Sequence, residues 1–237
     1  MDSIIDYTKL IDSRNNDLFE KVQSKFELNF EPSYNGEHSV YTIGSSITFY
    51  IPVGIYSADA FTHELLHAYI DYHEAYIGGN FKNTMWQSNI LKQLFDLPLA
   101  EHITNSIAHT LMLPIYLERG FERSMFLLDY DEFKTEPGFI GQIARYYKQG
   151  ALYNLSAIRN FTGKFFAFKC DPNPTFNYDT ELQQLKKIDP QLYQILQNYF
   201  LRWANYDFTA DPLSEYREIN SDFYANLKPW MSGKRFG

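Results

Sequence analysis

The stretch Phe61-Thr62-His63-Glu64-Leu65-Leu66-His67-Ala68-Tyr69 governs the reading of the rest of the chain. It contains His-Glu-x-x-His. Residues four apart on a helix share a face, so His63 and His67 project together. Two neutral imidazoles at that spacing can share one zinc ion. Glu64, beside the first of them, can reach a zinc-bound water as general base. With six His in 237 residues, the pattern is expected by accident on the order of 0.01 times.

The flanking sequence frames a helix of this kind. Upstream, Ser39–Ile43 and Ile47–Val53 are rich in Tyr, Thr, Ile, Phe and Val, and read as two strands joined around Gly44-Ser45-Ser46. Leu28–Phe30 reads as a short strand, and apolar spacing from Ile4 to Phe26 predicts a helix interrupted at 12–16. Ser57 is placed to cap the motif helix, with Asp59 in its first turn. Phe61, Leu65, Ala68, Tyr69, Tyr72 and Tyr76 recur at helical spacing, and Gly78-Gly79 is the expected stop. Downstream, helical segments are expected over Trp86–Phe95, Leu99–Leu117 (with Pro114 as a break point), Ile140–Tyr147, Ala151–Asn160, Thr180–Lys187, Pro190–Trp203 and Ser214–Leu227. Phe161–Phe168 fits either element. Asp171-Pro172-Asn173-Pro174 is the clearest loop and the best subdomain boundary.

The order of helix, strands and a motif helix entered from a strand resembles the zincin class of zinc peptidases. That resemblance implies an edge strand holding an extended substrate beside the motif helix, here through the backbone of Ile47–Ile51. His63-Glu64-Leu65-x-His67-Ala68-x-x-Asp71-Tyr72 is similar to the motif helix of thermolysin-like peptidases over about ten residues. The Asn-Glu-x-x-Ser-Asp element that carries the third ligand in that family is absent.

A catalytic zinc needs a third protein ligand. His73 has metzincin spacing, but Ile70 stands where that signature has glycine, and β-branched residues disfavour the left-handed turn. On a helix reaching Tyr76, His73 lies roughly 80° around from His63. Glu101 and His102 on the next helix are further candidates. His102, Asn105 and His109 share a face of it, with Asn105 able to support a ligand. His109-Thr110-Leu111-Met112-Leu113-Pro114-Ile115-Tyr116 resembles a His-x-x-Met-(small or apolar)-x-x-Tyr element of uncharacterised bacterial HExxH proteins. On that resemblance His109 is the first choice, with His102 and Glu101 next. Asp71, one turn past His67, is placed to orient an imidazole. Tyr116 and Tyr153 are two of many tyrosines available to stabilise an oxyanion.

Composition narrows the classes. The net charge of −8 and the lack of a basic run argue against nucleic acid or an anionic membrane as partner. One cysteine, Cys170, excludes an internal disulfide and a Cys-rich zinc knuckle. An aromatic content of 18% predicts an aromatic-rich core or an aromatic-lined cleft. The N-terminal residues lack the basic and apolar regions of a signal peptide, and no transmembrane stretch is seen, so a cytoplasmic protein is expected.

The expectation is thus an α+β, zincin-like fold over residues 1–237 as a single catalytic domain. A small antiparallel sheet packs on the HExxH helix in an N-terminal part (about 1–80), and a mostly helical part follows (about 81–237). The expected activity is zinc-dependent hydrolysis of a peptide or protein substrate, with His63, His67 and His109 as ligands and Glu64 as general base. The alternative is a zinc-binding regulatory or interaction protein without turnover.

Overall fold

A computed structural model describes residues 5–210 and 215–237. Ile4 and Ser214, expected to start two helices, lie outside the described residues. The chain is α+β, about 59% helical with two small sheets. It forms two compact units. The first comprises Met1–Ala75 and Met112–Tyr130, and the second Tyr76–Leu111 and Asp131–Gly237. Both units thus draw on two separate stretches of sequence, and the Asp171-Pro172-Asn173-Pro174 loop lies inside the second.

In the first unit a 3-10 turn (Tyr7–Leu10) leads to α1 (Asn16–Lys25), and three strands follow: β1 (Glu27–Ser33), β2 (Ser39–Ile43) and β3 (Ser46–Pro52). The expected antiparallel sheet is instead mixed, in the order β1-β3-β2. From β1 the chain crosses to the far edge, and the hairpin at Gly44 (φ 60°) returns it through the middle. β3 therefore runs parallel to β1 and antiparallel to β2. Ile47, Phe49 and Ile51 are fully buried on alternate positions of this central strand. The next element is α2 (Ala58–Tyr72), which carries the motif. Phe61 of α2 meets Phe49 at 5.1 Å and Phe19 of α1 at 6.4 Å, so an aromatic cluster binds helix to sheet.

The motif helix ends four residues before the expected Tyr76. Glu74 adopts φ 61°, the left-handed region that breaks a helix. Lys25 of α1 holds this turn, with Nζ donating to the Tyr72 carbonyl (2.7 Å) and to Glu74 (2.8 Å). Gly78 and Gly79, expected to stop α2, lie instead within α3 (Ile77–Met85).

The second unit continues with α4 (Asn89–Leu94) and α5 (Leu97–Glu118). α5 runs unbroken through Pro114, with Leu111, Met112 and Tyr116 buried around the proline. The division between the units falls within this helix, after Leu111. Its C-terminal part is fastened within the first unit. Arg119 forms a bidentate pair with Asp17 (2.5 and 2.8 Å) and donates to the Arg14 carbonyl (2.7 Å).

The rest of the second unit comprises α6 (Phe139–Tyr146), β4 (Lys148–Gln149), β5 (Leu152–Tyr153), α7 (Leu155–Lys169), α8 (Asp179–Ile188), α9 (Pro190–Ala204), α10 (Tyr216–Met231) and β6 (Arg235–Phe236). The expected helix over Ala151–Asn160 is a strand followed by a longer helix, because Asn154 accepts from the Ala157 amide and caps α7 there. Tyr199 stacks on Phe223 at 4.0 Å in an aromatic core with Phe81 and Phe95. Among the described residues no helix is long and apolar enough to cross a membrane.

Candidate metal centre

Local sequence builds α2 as expected. Ser57 is extended and its hydroxyl accepts from the Ala60 amide at 3.2 Å. Phe61, Leu65 and Ala68 are fully buried and fix the rotation of the helix. A further contact holds it from outside. The fully buried Asn15 donates to Thr62 Oγ1 (2.9 Å) and to the Leu10 carbonyl (3.0 Å). His63 and His67 leave the same face, with ring centroids 5.1 Å apart.

The third histidine comes from α5. One ring nitrogen from each of His63, His67 and His109 lies within 4.8 Å of the other two. His109 sits one turn before the part of α5 that Arg119 fastens to α1. The other candidates are placed elsewhere. His102 Nε2 pairs with the Gly163 carbonyl at 3.0 Å, and Glu101 is exposed. His73 follows the end of α2 and packs edge-on to Tyr69 at 4.7 Å.

The donor set fits a transition-metal ion. Imidazole suits zinc, copper, iron and nickel. Donors on a tetrahedral zinc with bonds of about 2.0–2.1 Å stand roughly 3.3 Å apart, so three nitrogens within 4.8 Å need little rearrangement. Their protonation state also fits. Burial, with the neighbouring His67 adding to it, lowers the pKa of His63 to about 3, and burial lowers that of His67 to about 4. Both are neutral, ligand-competent imidazoles at pH 7. A hydrogen bond to the Phe126 backbone acts in the opposite direction on His63, as expected when a carbonyl accepts from the ring. Such a bond orients a ligating imidazole and fixes its tautomer. The Phe126 ring also packs on the His63 ring at 4.8 Å.

Glu64 keeps some contact with solvent, yet the surrounding protein raises its pKa to about 8. Burial is the one cause of that shift. A bound cation nearby would restore the carboxylate, since opposite charge favours the ionised form.

Other expected roles fall differently. Asp71 is tied to the Thr42 side chain of β2, which joins the motif helix to the sheet. Tyr116 is fully buried, with its ring 4.9 Å from Phe121 and 5.0 Å from Phe126. Burial raises its hydroxyl above the ordinary range. Tyr153 belongs to the second unit, beneath Lys148 and Lys234. The backbone of Ile47–Ile51 is not available to a substrate, because β3 is paired on both sides. The outer edges of that sheet belong to β1 and β2. Asn15, Phe126 and Arg119 support the site from positions that no motif marks. No protein-family model, curated protein or solved structure matches the chain.

Proposed function

We propose that the protein is a zinc-dependent peptidase of zincin-like design. The observation that carries this reading is the convergence of His63, His67 and His109 from two helices, with a glutamate directly following the first ligand. Three histidines leave a tetrahedral ion one position for water or substrate, which is the composition of a catalytic site rather than a closed structural one. A zinc ion held by His63, His67 and His109 would supply Lewis acidity toward the scissile carbonyl and toward the attacking water.

The chain's own groups supply the rest. The Phe126 backbone and ring hold His63 in one orientation. Glu64, as carboxylate, takes a proton from the attacking water and passes it to the leaving amine, an exchange that general acid–base catalysis rewards by about 10²–10⁴-fold. Its recessed position favours the exchange, because a carboxylate poorly solvated by water is a stronger base.

The test has two stages. Protein purified without chelators is expected to carry one zinc per chain by elemental analysis. Wild type is expected to cleave members of a mixed peptide pool, and Glu64→Gln is expected to keep the metal and lose cleavage. Stoichiometric zinc with no cleavage by wild type would favour a zinc-binding regulatory protein instead.

A further inference from the structure

A second site lies wholly within the second unit. α6 and α8 pack against each other there, and the segments that flank them are in contact at both ends. Before α6, Phe133 stacks on Tyr178 at 4.7 Å, and Tyr178 immediately precedes α8. After α6, the Tyr147 hydroxyl donates to Asp189 at 2.9 Å, and Asp189 immediately follows α8. Along these helices runs a cleft of about 1210 Å³, somewhat larger than a typical small-molecule pocket of roughly 300–1,000 Å³.

The cleft is charged at both ends. At the Tyr178 end lie Glu136 and Glu181. Glu136 has Lys164 as a nearby cation, whereas the buried Oε2 of Glu181 has no hydrogen-bond partner. At the Asp189 end lie Lys148, Lys187 and Lys234. Asp189, which also accepts from Tyr147, the Trp230 indole (2.8 Å) and the Leu192 amide (2.8 Å), offsets one of these three charges, that of Lys234, and the cluster keeps an excess of positive charge. Lys234 stands 3.6 Å from it. Burial lowers the pKa of Lys234, so an anion beside it would gain a poorly hydrated partner. Between the two ends, Ile140, Ala144 and Ile188 give apolar walls, and Gln184 lies one turn after Glu181 on the same face of α8.

We infer that this cleft binds a short zwitterionic peptide, its free amine at Glu181 and its free carboxylate at Lys148 and Lys234. Length supports this choice of ligand. The seven steps from Glu181 to Ile188 rise about 10 Å at 1.5 Å each. An extended tripeptide spans about the same, at roughly 3.3–3.6 Å per residue. The Gln184 and Gln191 amides each offer donor and acceptor, as a peptide backbone requires. Glu181 lines the cleft, and an ammonium offers it a charge-assisted hydrogen bond. The inference does not rest on the metal centre, because no histidine lines the cleft.

The test is calorimetric titration of the full chain with Ala-Phe-Ala, its N-acetyl form and its C-terminal amide, each with and without 1,10-phenanthroline. The free tripeptide is expected to bind, and either cap is expected to weaken it by about tenfold or more. Glu181→Gln should lose affinity for the free tripeptide and become indifferent to N-acetylation. Lys148→Ala, at an exposed position, should reduce the penalty of amidation. The chelator should change nothing. Equal affinity for capped and free peptides, no binding up to about 10 mM, or binding abolished by the chelator would each overturn the assignment. In the last case the peptide belongs to the metal centre.

Discussion

Glu64 and Asp189 are both carboxylates withdrawn from bulk water, and the chain treats them in opposite ways. Asp189 is supplied with donors on both oxygens: the Leu192 amide on one, Tyr147 and Trp230 on the other, with Lys234 nearby. It caps α9 and joins four segments of the second unit. Glu64 is shifted by burial alone. A buried carboxylate supplied with donors contributes to the fold, whereas one that burial simply destabilises costs stability, which is typical of groups kept for chemistry. The two residues should therefore separate stability from activity.

The largest effect is expected at Glu64. Glu64→Gln should reduce peptide cleavage by about 10²–10⁴-fold. In chelator-treated protein the same change should raise stability at pH 7. Because the folded pKa is raised to about 8, stability falls as pH climbs from the ordinary carboxylate value to that point, and glutamine removes the penalty. Urea unfolding at pH 4 and pH 7 checks the sign: the gain should be present at pH 7 and absent at pH 4. A gain equal at both would show that the charge of Glu64 is not what burial penalises.

Next comes the third ligand. His109→Ala should weaken metal binding by more than about 100-fold, since even residues that only support a ligand account for 10–100-fold. His102→Ala, whose ring is committed to the Gly163 carbonyl, should leave metal affinity unchanged. Competition with a chromogenic chelator measures both, and the reverse order would move the ligand two turns back along the same face of α5.

Asp189→Asn is the counterpart in the second unit. It leaves Lys234 without its paired charge and disturbs three hydrogen bonds, and is expected to cost about 2–4 kcal/mol. For a chain of this size each kcal/mol lowers Tm by about 2–4 °C, so calorimetry should register a fall near 8 °C. Metal content should stay at the wild-type level. Loss of metal together with stability would break the contrast between the two carboxylates.

What could be read from the sequence follows the range of the interactions involved. β2 lies where its β-branched and aromatic run places it, and Ser57 caps α2, because both are set by neighbours in sequence. The His63 and His67 pair is legible for the same reason. His109 is 42 positions from His67, and sequence offered three other candidates for its role. His102 and His109 share a face of α5, so the choice between them depends on which turn of that helix meets the motif histidines, a contact remote in sequence; the remote pair Arg119–Asp17 helps to fix the C-terminal part of the helix. Strand order is equally non-local. Nothing within Ile47–Ile51 says that β1 and β2 will flank it, so a substrate-binding edge was placed on what is the central strand. Phe126 carries no motif at all, although it orients His63.

The end of α2 offers the smallest test. Gly78-Gly79 looked like the stop because glycine tolerates a left-handed turn, yet Glu74 makes that turn at φ 61°. A non-glycine residue there costs about 1–2 kcal/mol. The Lys25–Glu74 pair offsets little, because Glu74 is 65% exposed and solvent screens such pairs. Glu74→Gly removes the strain, adds about 0.4–1 kcal/mol of unfolded-state entropy and gives up the ion pair. The net expectation is a gain of about 0.5 kcal/mol, read as a higher urea midpoint at unchanged slope. The Tyr72 carbonyl keeps its bond to Lys25 in that variant, so the helix should still end at the same place. A loss of stability would mean that the Lys25–Glu74 pair, more than backbone preference, holds the turn and keeps His73 off the histidine face of α2.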